Sequence, residues 1–242
     1  MKTNASAWRR GASRSWRSRG SPWSTRGGNP VGVITRGDLL SAGRAHVGER
    51  EHVVNLPDAY VREHMHRGVD AVAPDLPLRR AAKQMVDAHE HRLFVAEDGQ
   101  LVGLVGTREV MRAVVRQEVR VPIADIMTSS VVTVSVDDPL ALAVDRLAAA
   151  HRWALIVVVD RAWPLGSFSQ VEALAARDAP SMQRVEHWMR PGALCLPAEM
   201  PAHRAARAAL ALGAPPIVAV SETEIRGVVT ATDFARLVSD AP

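Results

Sequence analysis

Two short stretches place a hydroxyl and a carboxylate three residues apart, just after a pair of apolar residues. They are Gly32-Val33-Ile34-Thr35-Arg36-Gly37-Asp38 and Gly227-Val228-Val229-Thr230-Ala231-Thr232-Asp233. A threonine that opens a helix caps free backbone N–H groups, and such an end also attracts anions. An acid in the first turn complements the helix dipole on its own account. Two further stretches share the outline with altered chemistry: Gly103-Leu104-Val105-Gly106-Thr107-Arg108-Glu109 and Gly166-Ser167-Phe168-Ser169-Gln170-Val171-Glu172. No nucleophile–base–orienter set and no glycine-rich phosphate loop accompanies them, so the chain is not expected to be an enzyme.

The remaining reactive side chains read as structural. His64 and His66 flank Met65, but the methionine recurs where the histidines do not, so it reads as a packing residue with surface histidines and no metal. His89 and His91 stand two apart and would sit on different helix faces. The single cysteine, Cys195, excludes a disulfide scaffold and any multi-cysteine zinc site. It falls in an expected strand over 193–196, where a buried small apolar role is expected.

The elements that must carry these residues repeat. Met65, Met127 and Met189 are spaced by 62 and 62, and Leu78, Leu140 and Ala202 follow the same spacing, each after a proline. Glycines close the units at Gly103, Gly166 and Gly227, with Gly32 in the same kind of segment. Within a unit, a β-branched segment such as Val131-Val132-Thr133-Val134 leads through Asp137-Asp138-Pro139 into an amphipathic helix over 140–151. An apolar strand over 155–159, a tight turn, a second strand through Gly166 and a last helix follow. Glu97-Asp98-Gly99-Gln100 reads as a hairpin turn. The order is β-α-β-β-α, three times complete and once partial. Such units should pack in pairs to cover their apolar faces.

Composition narrows the class further. The 242 residues are 47% hydrophobic and 23% charged, which is ordinary for a globular protein, and no run reaches membrane-helix length. A cytoplasmic protein with no membrane partner is expected. Residues 1–30 hold Lys2 and six arginines and no acid, a charge of +7, which leaves −3 on the rest of the chain's +4 total. The body is therefore not basic, and nucleic acid is an unlikely partner. The leader, residues 1–28, is rich in Arg, Ser, Gly and Trp and is expected to be a disordered basic arm. It could be an inert tail, a transit peptide, an arm that stacks on nucleic acid, or the product of a shifted reading frame in a GC-rich gene. In another frame, residues 19–25 can encode a buried strand ending in a turn acid.

The four Gly-apolar-apolar segments, joined to the Met–strand–Pro–helix pattern, resemble the CBS (cystathionine β-synthase) domain in tandem. The resemblance implies an α+β fold of α/β kind, with tandem β-α-β-β-α repeats pairing into two Bateman-type modules and a truncated first repeat. The expected domains are a leader at 1–28, a remnant of repeat 1 at 29–42, a linker at 43–59, and repeats at 60–116, 121–178 and 183–240. Repeat 1 would pair with repeat 2, and repeat 3 with repeat 4.

Many CBS pairs bind adenine nucleotides in the cleft between repeats. Carried to this chain, one site would comprise Thr35, Asp38, Ala71, Val72, His91 and Arg92. The other would comprise Thr133, Val134, Arg152, Thr230 and Asp233. Each aspartate could accept both ribose hydroxyls, whereas Glu109 and Glu172 would crowd them. His91 and Arg92 stand where phosphate-contacting cations are common; Ala214 and Pro215 hold that place in the last repeat, and Trp153 replaces a small residue. The resemblance thus implies a regulatory sensor of AMP, ADP or ATP, or of S-adenosylmethionine, with no resident cofactor. A homo-oligomer and a separate effector protein are the expected partners. The rival expectation is a structural or oligomerisation module whose degenerate sites bind nothing.

Overall fold

The computed structural model describes residues 20–24, 30–45, 52–68, 71–150, 154–160, 163–222 and 224–240. Residues 1–19 of the expected leader, and Arg152 and Trp153, lie outside the described residues. The partial repeat consists of strands β1 (Gly20–Ser24) and β2 (Pro30–Thr35) and helix α1 (Arg36–Ala45). Strand β1 falls inside the stretch read as leader, and its backbone pairs antiparallel with β2 instead. After β3 (His66–Arg67), the second repeat runs β4 (Ala71–Val72), α2 (Leu78–Asp87), β5 (Arg92–Glu97), β6 (Gln100–Gly106), α3 (Thr107–Arg116). The third runs β7 (Thr133–Ser135), α4 (Leu140–Ala149), β8 (Ala154–Val159), β9 (Trp163–Ser169), α5 (Gln170–Ala175). After β10 (Arg190–Pro191), the fourth runs β11 (Leu194–Pro197), α6 (Ala202–Ala211), β12 (Ile217–Ser221), β13 (Glu224–Val229), α7 (Ala231–Ser239).

Local chemistry explains this punctuation. Pro77, Pro139 and Pro201 each stand immediately before a helix with φ of −55°, −68° and −60°, the value their rings impose. Asp98 and Gly99 link β5 to β6 with φ of +50° and +77°, the two left-handed residues of a type I′ turn. In the second and fourth repeats the first strand is parallel to the second and the last is antiparallel to it, and in the third β7 is likewise parallel to β8.

The recurring methionine and glycine belong to one device. Before each complete repeat's first strand, the chain makes a one-turn 3-10 helix, reaches the methionine, and pairs briefly with the last strand of another repeat. His66 and Arg67 pair with Val33 and Gly32. Arg190 and Pro191 pair with Ser167 and Gly166. Thr128 bridges Val228 through two hydrogen bonds of 2.9 Å. A Cβ at Gly32 or Gly166 would strike the carbonyl oxygen of the crossing segment. At Gly227 it would stand 2.8 Å from both Met127 Sδ and the Thr128 oxygen. These glycines exist to let a second backbone lie against the strand.

The chain forms two compact units. One contains residues 1–69, 136–154 and 168–189. There α1 packs on α5, and α5 on α4, which buries Leu140, Ala143, Val144 and Leu147. The segment over 43–59, expected as a linker, is partly core here. Val53 and Val54 are buried, and their amides donate to the carbonyls of Ala179 and Arg177. Gly43 is close against Val54, which leaves no room for a side chain.

The other unit contains residues 70–135, 155–167 and 190–242. Its largest core joins Met111 and Val114 of α3 to the alanine face of α6 (Ala202, Ala205, Ala206, Ala209) and to Phe234 of α7. Small side chains on α6 allow this close helix approach. A smaller core of Ala82, Val110 and Ala235 ties α2, α3 and α7 together. Helices of the second repeat thus pack on helices of the fourth. The sheets of the third and fourth repeats meet through Ile156, Val158 and Val218, with Val131, Val220, Ile225 and Val228 around them.

Candidate functional site

All four last helices begin with the same hydrogen-bonded knot. Thr35 donates its N–H (2.7 Å) and its hydroxyl (2.8 Å) to Asp38 Oδ2, and the Asp38 amide returns a 3.3 Å bond to Thr35 Oγ1. Thr230 donates its N–H (2.7 Å) and hydroxyl (2.8 Å) to Asp233 Oδ2. Gly106 donates its N–H to Glu109 at 2.9 Å, and Ser169 donates N–H and hydroxyl to Glu172. The altered motifs therefore keep the capping function. An acid three residues in satisfies the free amide of the residue that opens the helix, whether Asp or Glu supplies it.

The two aspartates have different second partners. Asp38 Oδ1 lies 2.9 Å from His66 Nε2, so the segment that crosses onto β2 also reaches the first turn of α1. Asp233 Oδ1 accepts from Arg236 at 3.0 Å, and its side chain is only 5% exposed. At α1 the neighbouring Arg36 guanidinium is pushed below its usual range by burial, an effect partly offset by the Glu172 carboxylate.

The expected site residues are distributed as follows. Thr35 and Asp38 lie in one unit; Ala71, Val72, His91 and Arg92 lie in the other. Thr133, Val134, Thr230 and Asp233 share the second unit. Val134 is 1% exposed, so its side chain belongs to the core and it has only backbone to offer. Thr133, beside it, is half-buried and faces the other way, as strand alternation requires. Cys195 is exposed, which corrects the buried role expected of it. In β11, Leu194 and Leu196 face inward and Cys195 points out. Partial burial still pushes its thiol above the usual range.

One neighbour escaped the sequence. His91 Nδ1 lies 3.1 Å from Thr232 Oγ1, in the first turn of α7. A histidine of the second repeat therefore stands at the helix end that carries Thr230 and Asp233. Two guanidiniums hold carbonyls of the last repeat: Arg108 donates to the Gly213 carbonyl at 2.6 Å and Arg190 to the Leu212 carbonyl at 2.7 Å. They hold the C-terminal end of α6, where cations are favoured. Ala214 and Pro215 hold no charge; the guanidiniums on the neighbouring carbonyls come from Arg108 of the second repeat and Arg190 of the fourth.

Among the described residues, no three His, Cys, Asp or Glu side chains gather as a metal site, and no helix is long and apolar enough to cross a membrane. An open depression of about 560 Å³ lined by Pro57, Asp58, Ala59, Glu63 and His64 involves none of the candidate residues.

Comparison with known proteins agrees with this architecture. The CBS domain family model matches residues 61–116, 123–178 and 185–240. The chain belongs to the CBS domain family. Its fold is that of tandem CBS repeats, and such repeats are regulatory modules. Protein MJ1225 of Methanocaldococcus jannaschii, a proposed archaeal homologue of g-AMPK, has a similar structure: TM-score 0.72, 19% identity, 90% of this chain and 87% of that one. An uncharacterized conserved protein of Pyrococcus horikoshii is similar with a TM-score of 0.65 and 20% identity over 91% of each chain. No curated protein matches.

Proposed function

We propose that this chain is a non-catalytic, cytoplasmic sensor of an adenine nucleotide (AMP, ADP or ATP) and binds it at the start of α7. The observation that carries this reading is the meeting of Thr230, Asp233, Thr232 and His91 at one helix end, within a repeat of the CBS family. Free amides and the dipole of α7 favour a phosphate there. Thr232 and His91 would contact it, Asp233 would accept ribose hydroxyls, and Thr133 would line the cleft. Asp233 Oδ2 already accepts two bonds from Thr230 and Oδ1 one from Arg236, so Oδ1 can accept one ribose hydroxyl and the second must replace Thr230 or Arg236 as donor. Exchanging one hydrogen bond for another costs little. S-adenosylmethionine, which carries the same adenosine group, is the alternative ligand. Binding would shift the population of repeat packings and pass the signal to an effector protein or to homo-oligomer state.

Isothermal titration with AMP, ADP, ATP and S-adenosylmethionine tests this. At least one nucleotide should bind, and Asp233→Asn should weaken it at least tenfold. His91→Ala should weaken ADP and ATP more than AMP, since it removes a phosphate contact and leaves the ribose contact. No heat and no competition with any of the four at millimolar concentration would overturn the reading.

One observation favours a second reading, an interaction module that binds no nucleotide. The acids at all four helix starts are accounted for by capping alone, and two of them are glutamates. On that reading Asp233→Asn changes stability only.

A further inference from the structure

The four acids at the helix starts differ in what holds their second oxygen. Three residues further along each helix stand Ser41, Arg112, Ala175 and Arg236. In α3, Arg112 donates to Glu109, and in α7, Arg236 donates to Asp233 Oδ1 at 3.0 Å. Helices α1 and α5 open with the same knot and no arginine at that place, so the arginine is not needed to start the helix. At α7 it has a chemical consequence. A carboxylate offers about four acceptor positions, two on each oxygen. The Thr230 N–H and hydroxyl fill both positions of Asp233 Oδ2. Arg236 fills one of the two on Oδ1, which leaves a single position free on a buried side chain.

We propose that Arg236 sets the sugar specificity of the α7 site: with it seated, Asp233 gains a bond from only one sugar hydroxyl, so ribose and 2′-deoxyribose nucleotides bind alike. The inference rests on the nucleotide reading above and names the sugars that site accepts. The first hydroxyl takes the free position on Oδ1 and adds a bond. The second enters only by displacing a donor already present, so it adds none. The guanidinium is a charged donor and the hydroxyl a neutral one. Charge-assisted bonds are the stronger, so the exchange does not favour the hydroxyl. A nucleotide that lacks one hydroxyl therefore loses nothing at Asp233. With Arg236 removed, the second hydroxyl meets an empty acceptor and the deoxy form leaves it unfilled. A polar site rejects an analogue without a hydroxyl in just this way. Arg236 is thus a positioning residue that acts through Asp233.

The test is isothermal titration of AMP, ADP and ATP, each beside its 2′-deoxy form, into three full-length proteins. They are the unaltered chain, Arg236→Ala, which places there the residue α5 has, and Arg112→Ala, which removes the matching ion pair from α3. Arg236 is half exposed, so its loss should move the melting temperature by no more than about two degrees. The readout is the ratio of the deoxy to the ribo dissociation constant. A lost charge alters the affinity for both forms alike, so the ratio reports the acceptor and not net charge or helix stability. For each nucleotide that binds, the ratio should lie below about three in the unaltered chain. It should rise at least about threefold in Arg236→Ala and by less than that in Arg112→Ala. A higher ratio in the unaltered chain, a smaller rise or no binding in Arg236→Ala, or an equal rise in Arg112→Ala would overturn the proposal and leave the nucleotide reading in place. No binding of any of the six to the unaltered chain would overturn both.

Discussion

Asp233 gives one carboxylate oxygen to the two donors of Thr230 and the other to Arg236, all from a position 4% exposed. Removing that carboxylate leaves an amide at the helix start without its acceptor. Asp233→Ala should therefore cost about 1 kcal/mol and lower the melting temperature by about 2–4 °C, read by calorimetry without nucleotide. Asp233→Asn keeps an acceptor and should lose less. Loss of nucleotide affinity in Asp233→Asn with a nearly unchanged melting temperature separates ribose contact from capping. Cys195 offers a second residue-scale check. Its exposed thiol should react fully with a thiol reagent in the native chain. Partial burial raises its pKa, so less thiolate is present at neutral pH and the rate should climb more steeply than a free thiol's above pH 8. A thiol that reacts only after denaturation would contradict its exposure. Strand alternation placed Leu194 and Leu196 inside, and the same period, applied to Cys195 from sequence, would have turned it outward.

At the scale of elements, the sequence carried most of the repeat but little of its partnering. Met, Pro and Gly at fixed spacing marked strands, helices and turns, because each has a local job: a side chain over a crossing, a fixed φ, a close backbone approach. The reason for the glycines was hidden, since the backbone they admit comes from 24 or more residues away. Partnering among helices was hidden too. The alanine face of α6 would fit many helices, and nothing periodic in it selects α3. His91 and Thr232 are separated by 141 residues, beyond any local pattern. Val53 and Val54 interrupt a polar stretch too short to show a period, so their burial was not legible. The crossing device predicts an asymmetry among glycines. Gly166→Val forces a side chain into the Arg190 backbone and should destabilise by about 1–3 kcal/mol, whereas Gly103→Val should be near neutral in the same urea titration. Equal effects would show that the two edges are alike.

Within the second unit, the larger body of the molecule, the fourth repeat is the junction. Its sheet meets that of the third repeat, its helices meet those of the second, and His91 reaches its α7. A ligand at the start of α7 would touch the element where these packings converge. Such a position suits a regulator whose response is a change in packing preference. Ligand binding should then stabilise the fold by mass action, by about 2.7 kcal/mol at one hundred times the dissociation constant. The measurement that tests this most directly is isothermal titration of AMP, ADP and ATP into the unaltered chain, Asp233→Asn and His91→Ala. Saturable binding that Asp233→Asn weakens for every nucleotide, and that His91→Ala weakens most for the longer phosphate chains, is the predicted result. Binding untouched by either substitution, or none at millimolar nucleotide, would contradict the placement of a sensor site at α7.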